Sequence, residues 1–291
     1  MPTPDTKAPV KAQTSTQDKA AAFRALHARD GAFVIPNPWD IGSARILQAM
    51  GYEALATTSV GFANAIGKLD YQVSRDEKIA HCKALADATD VPINADLENG
   101  FDADPTQAAE TIKLAAQVGI VGGSIEDSSG DPSAPIYSFD HAVERVAAAA
   151  EMARALHGDF MLTARAENLL HGVKDLDDTI KRLQAFEAAG ADVLYAPGLQ
   201  TLEQIKMVCD AVSAPVNVLG VMVRGASVGD MAEAGAKRIS VGGAFARAAL
   251  AGFITAAEEM LSEGTTGFMQ DLKAARKADA LLRGDGAGDR S

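Results

Sequence analysis

Cysteine and aromatic residues are scarce in this chain. Its 291 residues include two cysteines, Cys82 and Cys209, and neither lies in a CxxC pair. No disulfide framework can form from them, and a reducing, cytoplasmic setting is expected. Aromatic residues make up 5%, with Trp39 the single tryptophan. Positive charge is short as well: 27 Lys and Arg stand against 39 Asp and Glu, a net charge of −12. DNA, RNA and anionic membranes each demand a basic face, so none is expected as a partner. No stretch approaches the ~18 consecutive apolar residues of a membrane span. The five histidines show no HExxH or Cys/His spacing, which disfavours zinc.

What is present is 47% hydrophobic residues in an alternating pattern. A single domain of this size buries about 75% of the surface its unfolded chain exposes. Residues 1–19 lack the apolar core of a signal peptide and read as a disordered lead-in. Residues 20–264 read as one catalytic domain and 265–291 as a helical extension with a loose tail. Strands are expected at Ala32–Pro36, Ala54–Thr58, Pro92–Asp96 and Gly122–Glu126. Four more are expected at Phe160–Ala164, Val193–Ala196, Pro215–Leu219 and Arg238–Val241. Helices are expected at Ile41–Met50, Arg75–Thr89, Pro105–Val118 and Asp140–His157, and further on at Leu176–Ala189, Leu202–Val212, Val228–Ala234 and Ala244–Ser262. Asp104 before Pro105 signals a helix start, and Gly190 a helix end. Eight strand–helix units imply parallel strands with crossover helices. An α/β (β/α)8 TIM barrel is favoured over an open doubly wound sheet, because no glycine-rich dinucleotide fingerprint follows the first strand.

In such barrels the chemistry stands at the C-terminal ends of the strands. There the chain places Asn37-Pro-Trp39-Asp40, Ser59 and Gly61, Asp70, Asp96-Leu-Glu98, Glu126-Asp127 and Arg165-Ala-Glu167. An extended chain would put Asp96 and Glu98 on one side of the strand. Asp40, Asp127 and Glu167 taken singly are as well explained as helix caps. Asp96, Glu98 and Glu126 together are not, since crowded like charges cost energy unless a cation is bound. Hard oxygen donors suit Mg²⁺, with Mn²⁺ as the alternative ion. No lysine stands at a strand end for Schiff-base chemistry, and no GxSxG elbow is present. Gly242-Gly243 serves equally as a phosphate cradle or a tight turn.

These residues resemble the isocitrate lyase/phosphoenolpyruvate mutase superfamily over roughly residues 22–262. The resemblance rests on Asn37-Pro-Trp-Asp40, Thr58-Ser59-Val-Gly61 with Gly67-Lys-Leu-Asp70, and Asp96-Leu-Glu-Asn-Gly-Phe101. Gly123-Ser-Ile-Glu-Asp127, Thr163-Ala-Arg-Ala-Glu167 and Gly190-Ala-Asp-Val-Leu-Tyr195 continue it in order. It implies that Asp96, Glu98 and Glu126 hold the metal, with Asp70 near the metal waters. It further implies that Arg165 holds a substrate carboxylate, which the Ser59 and Gly61 backbone amides also receive, with Trp39 beside the mouth. A homotetramer with its last helix swapped between subunits is implied too. Glu98 departs from the usual Asp-x-Asp. The Lys-Lys-Cys-Gly-His loop of the family's lyases is replaced by Ser128-Ser-Gly-Asp-Pro-Ser-Ala-Pro-Ile-Tyr-Ser138. Its glycine and two prolines among small polar residues suggest a segment that closes over the mouth, with Tyr137 as the one candidate acid.

The expected function is a Mg²⁺-dependent C–C lyase or decarboxylase acting on a small 2-oxo or 2-hydroxy dicarboxylate through a pyruvate-like enolate. Phosphonate C–P mutase or hydrolase chemistry is the second reading, and a non-catalytic oxoacid-binding barrel the third.

Overall fold

The computed structural model describes residues 14–156, 159–272 and 275–283, with only the backbone for Asp271. The expected helix end at His157, residues 1–13 of the lead-in and residues 284–291 of the tail lie outside these. Eight parallel strands run as β1 (Phe33–Ile35), β2 (Leu55–Ala56), β3 (Ile93–Asp96), β4 (Gly122–Glu126), β5 (Met161–Arg165), β6 (Val193–Tyr195), β7 (Val216–Leu219) and β8 (Arg238–Ser240). They pair in the order β1-β8-β7-β6-β5-β4-β3-β2. The Ala56 N–H donates to the Pro36 carbonyl at 3.0 Å, tying β2 back toward β1. The result is a nearly closed (β/α)8 barrel, and the doubly wound alternative falls because sequential strands are neighbours.

The helices are α1 (Thr16–Ala28), α2 (Ile41–Ala49), α3 (Ser59–Ala65), α4 (Arg75–Ala88), α5 (Pro105–Gln117) and α6 (Phe139–Ala155). They continue as α7 (Leu176–Ala188), α8 (Leu202–Asp210), α9 (Val228–Glu233), α10 (Ala244–Ser262) and α11 (Arg276–Arg283). Boundary chemistry matches the side chains. Asp104 accepts from the Thr106 N–H with Pro105 at the first position, and Asp40 and Ser43 form a reciprocal capping box. Gly190 follows α7 with φ +105°, the left-handed conformation that a glycine adopts at least cost.

Helix α1 corrects the expected lead-in, which extended to residue 19. Ser15 caps α1 by accepting from the Asp18 N–H. Lys19, expected to be disordered, is buried and donates to the Ala86 and Thr89 carbonyls at 3.0 and 2.6 Å, satisfying the C-terminal end of α4. Phe23 is fully buried under the barrel among Phe33, Ile35, Ala54, Ala56, Val121, Met161 and Val193. That cluster plugs the N-terminal end. Leu55, Leu162, Ala164, Leu194 and Val218 instead face the helices. This two-residue alternation turns Thr163, Arg165, Tyr195, Asn217 and Arg238 toward the barrel axis.

Candidate active site

Inside the C-terminal mouth lies a cavity of about 400 Å³. Ser59, Asp70, Asp96 and Arg165 line it, joined by Tyr195, Asn217, Arg238 and Arg247. Arg165 is its centre. Its Nη1 donates to Asp96 at 2.9 Å, its Nη2 to Glu126 at 3.0 Å and its Nε to Glu167 at 2.8 Å. The guanidinium stands over the Tyr195 ring, 5.2 Å from its centroid. Three of the five N–H groups are thus spent on carboxylates, and one on each terminal nitrogen remains for a ligand.

The carboxylates differ in their electrostatics. Burial raises the Asp96 carboxyl, but Arg165, Lys78 and the Ser59 and Glu98 amides outweigh it and hold the group below its ordinary value. Glu126 is pushed well up by burial, against the pull of Arg165, and Glu167 and Asp96 add to the rise. Tyr71 donates its hydroxyl to Glu126 at 2.6 Å. Burial and Asp96 push Glu98 up to about 7. Burial raises Asp70 too, with the Ser59 hydrogen bond opposing.

Asp96 and Glu126 meet on Arg165, and Glu98, which also borders a recess with Tyr71, Ser129 and Tyr137, stands close enough to Asp96, Asp70 and Arg165 to feel their charges. The extended geometry expected to align Asp96 and Glu98 stops at Asp96, where β3 ends. Glu98 then turns into the left-handed region at φ +50°, and Gly100 and Phe101 follow it at +80° and +64°. Arg145, buried against this turn, donates to the Asn99, Asp102 and Ala103 carbonyls and fixes it.

Among the described residues no three Asp, Glu, His or Cys side chains form a ready-made cage for a metal. Two carboxylate oxygens, Asp70 Oδ1 and Glu98 Oε1, are nonetheless buried without a hydrogen-bond partner. Unsatisfied hard oxygens on crowded carboxylates fit a divalent cation that keeps several waters, as Mg²⁺ does.

Other expectations need correction. The Ser59 N–H donates to Asp96 Oδ2 at 3.0 Å, and the Gly61 N–H caps onto Thr58 Oγ1 at 3.4 Å. The Ser59 amide is therefore taken, the Gly61 amide is held at the long limit for a hydrogen bond, and only Ser59 reaches the cavity wall. Trp39 lines an outer groove with Phe62 and His81 instead of the mouth. The Gly242-Gly243 turn gives its Val241 and Gly242 amides to Asn37 Oδ1 at 2.9 Å each, so it is a tied βα turn and not a phosphate cradle.

Asp127 pairs with Arg182 at 3.0 Å and accepts from the Glu167 N–H at 2.8 Å, which is a structural role. Glu167, by contrast, grips Arg165. Tyr71, Arg238 and Arg247 were not singled out from sequence. For Arg238 a signal existed: it is a charged residue at an inward-facing parity within a strand.

The loop after β4 carries no general acid. Ser128 and Ile136 pair antiparallel, and the Tyr137 N–H donates to the Asp127 carbonyl at 2.8 Å. Tyr137 packs on Arg145, 4.7 Å from its guanidinium, and so anchors the loop. Hydrogen bonds from Ser133 hold the exposed Asp131 below its ordinary value, keeping it ionised.

This (β/α)8 barrel, with its arginine–carboxylate centre at the mouth, is placed by its relatives in the phosphoenolpyruvate mutase/isocitrate lyase superfamily, of enzymes that act on small oxoacids. This chain is a member of the phosphoenolpyruvate phosphomutase family, whose model matches residues 23–261. A solved structure from Burkholderia cenocepacia J2315, provisionally assigned as a lyase/mutase, is 52% identical with a TM-score of 0.89. It covers 92% of this chain and 97% of its own. The oxaloacetate decarboxylase of Paraburkholderia xenovorans (strain LB400) is 30% identical over 211 residues, 68% of this chain and 67% of that protein. The 2-methylisocitrate lyase of Escherichia coli (strain K12) is 28% identical over 210 residues, 69% of this chain and 70% of that one. No helix among the described residues is long and apolar enough to cross a membrane.

Proposed function

We propose that this protein is a Mg²⁺-dependent lyase or decarboxylase acting beside the carbonyl of a small 2-oxo or 2-hydroxy dicarboxylate. The observation that carries this reading is Arg165, only 14% exposed, facing a cavity while bound to Asp96, Glu126 and Glu167. Asp96, with Glu98 and Glu126, would hold the ion, and Asp70 would face its water shell. Bound there, Mg²⁺ supplies charge stabilisation for an enolate. Arg165 offers its two remaining N–H groups to the substrate carboxylate, and its carboxylate partners fix the plane of the fork. Ser59 orients Asp70 through its side-chain hydrogen bond. Glu167 and Tyr195 hold Arg165 in place, one by its ion pair and the other by its ring. The exposed loop tip at residues 130–134 would close over the mouth and exclude water.

With no acid in that loop, a substrate whose departing fragment needs no proton suits the site best, such as oxaloacetate losing CO₂. The relationship to an oxaloacetate decarboxylase supports this choice. The family model favours C–P chemistry as the second reading. A screen of oxoacids, malates and phosphonates with Mg²⁺, following pyruvate, glyoxylate, CO₂ and phosphate, separates the two. CO₂ or pyruvate from an oxoacid supports the proposal, and phosphate release from a phosphonate supports the alternative. Ligand binding without turnover of any member would reduce the protein to a binding barrel.

The same reading takes the chain as a cytoplasmic homotetramer that swaps its last helix. Phe253, Ile254, Met260 and Leu261 along α10 are 68%, 51%, 54% and 90% exposed, an apolar face suited to a partner subunit. Light scattering of the purified protein measures the assembly.

A further inference from the structure

Beneath the carboxylate cluster the cavity continues to a floor of opposite character. Arg238 opens β8, is 3% exposed, and lines the cavity with Asn94, Ser124, Asn217 and Ser240. Its Nε donates to Asn217 Oδ1 at 2.8 Å and its Nη2 to Thr163 Oγ1 at 3.1 Å. Nη1 faces His27 Nε2 at 3.4 Å. All three partners are neutral, and no carboxylate lies within ion-pair distance of Arg238 among the described residues. Glu126 and Glu167, at the mouth above it, are bound by Arg165.

The row is continuous in register. Arg238 pairs with Asn217, Asn217 with Tyr195, Tyr195 with Arg165 and Arg165 with Glu126. Arg165 is therefore neutralised at the upper end of the row, while Arg238 stands alone at the lower end. A buried guanidinium without a counter-charge is costly, and a bound anion would offset that cost. Burial draws its pKa down to about 9, with only Tyr195 acting in the other direction.

Asn94, on the same lining, is loosely held: its Nδ2 reaches the Ala95 carbonyl at 3.4 Å, the long limit for a hydrogen bond. Ser240 is engaged, its Oγ accepting from Asn217 Nδ2 at 3.0 Å and hydrogen-bonded with the Tyr195 hydroxyl. Two N–H groups of Arg238 and the Asn94 amide are thus left, on the lining of one cavity, without an acceptor that matches them.

We propose that the floor of this cavity is a binding site for a small monovalent anion, a halide or a carboxylate group, with Arg238 as its charged receptor. The anion would take the spare guanidinium donors while the Asn94 amide completes its shell. The site is independent of the metal. An inorganic anion or a second carboxylate of the substrate shares one chemistry there, the latter resting on the function proposed above.

The test is crystallography of the whole protein in bromide, together with thermal unfolding in rising bromide or acetate. The expected results are an anomalous bromide peak beside Arg238 and a Tm that climbs saturably with either anion. In Arg238→Gln the peak should vanish and the apparent affinity should weaken by about tenfold or more. Arg238→Lys, which keeps the charge, should retain a weaker response if the Gln variant does not fold. Bromide displaced by a four-carbon dicarboxylate identifies the occupant as substrate, and bromide retained beside bound dicarboxylate identifies an inorganic anion. A cavity floor empty of bromide in the wild-type crystal, or an anion response unchanged in Arg238→Gln, overturns the proposal.

Discussion

Arg165 donates through Nη1 to the Asp96 carboxylate at 2.9 Å, joining the end of β5 to the end of β3 across the barrel mouth. The pair sets the charge of the site: Arg165 keeps Asp96 ionised despite burial. Losing Arg165 removes the largest of the charges that hold the buried Asp96 ionised.

Asp96→Asn replaces a carboxylate by an amide of the same shape. Metal-dependent kcat/KM should fall by about 10²–10³-fold, with the circular dichroism spectrum unchanged. Activity that survives both this substitution and EDTA would remove the metal from the reaction.

Arg165→Lys keeps the charge but loses the planar fork that reaches three carboxylates at once. The expected loss in kcat/KM corresponds to about 2–4 kcal/mol, roughly 30- to 800-fold. Steady-state kinetics measure it, and an unchanged value would leave Arg165 a purely structural residue.

Gly61 is required by space. A Cβ there would stand 2.6 Å from Thr58 Cγ2, 3.0 Å from Trp39 Cβ and 3.1 Å from Ala246 Cβ. Gly61→Ala should cost about 1–3 kcal/mol through overpacking. Urea unfolding reads the cost as a lower midpoint at unchanged m-value.

His27 gives a pH dependence of known sign. Burial, and then Arg238, depress its pKa to about 3. The unfolded chain therefore takes up a proton near pH 6.5 that the folded protein refuses until about pH 3. Stability is lost as pH falls through that window, by about 1.4 kcal/mol per unit from this group alone. In His27→Gln the fall between pH 6.5 and pH 4 should be shallower than in the wild type, as measured by urea unfolding at each pH. Parallel slopes would mean that His27 titrates alike in both states.

Cleavage of isocitrate or 2-methylisocitrate should be little or none. The succinate-like carbanion needs an acid within ~3 Å, worth typically 10²–10⁴-fold. Tyr137 is held against Arg145 and Asp131 is ionised. Robust glyoxylate release from isocitrate, measured by a coupled assay, would mean that a donor outside the loop acts there.

The sequence by itself determined the eight-fold alternation, because each strand's apolar run and each helix's caps are local signals. Asp104-Pro105 and Gly190 are legible in a few residues. It also placed Asp96, Glu126 and Arg165 at strand ends, where parallel barrels gather their chemistry. Helices α1 and α3 were not legible. The first hides in a polar segment stabilised by distant partners, the Lys19 contacts to α4, and the second is a single short helix, Ser59–Ala65, with no periodic stripe.

Only the tertiary structure decided which polar groups meet. Glu98 takes a left-handed backbone dihedral two residues after Asp96, and its carboxyl still feels Asp96 and Asp70. The Ser59 and Gly61 amides were consumed by Asp96 and Thr58, partners 37 and 3 residues away. Arg165 and Arg238 became a neutralised and an unpaired cation on one ladder, a distinction no linear pattern carries. Strand register and burial together fix which charge finds a counter-charge, and both emerge only when the barrel closes.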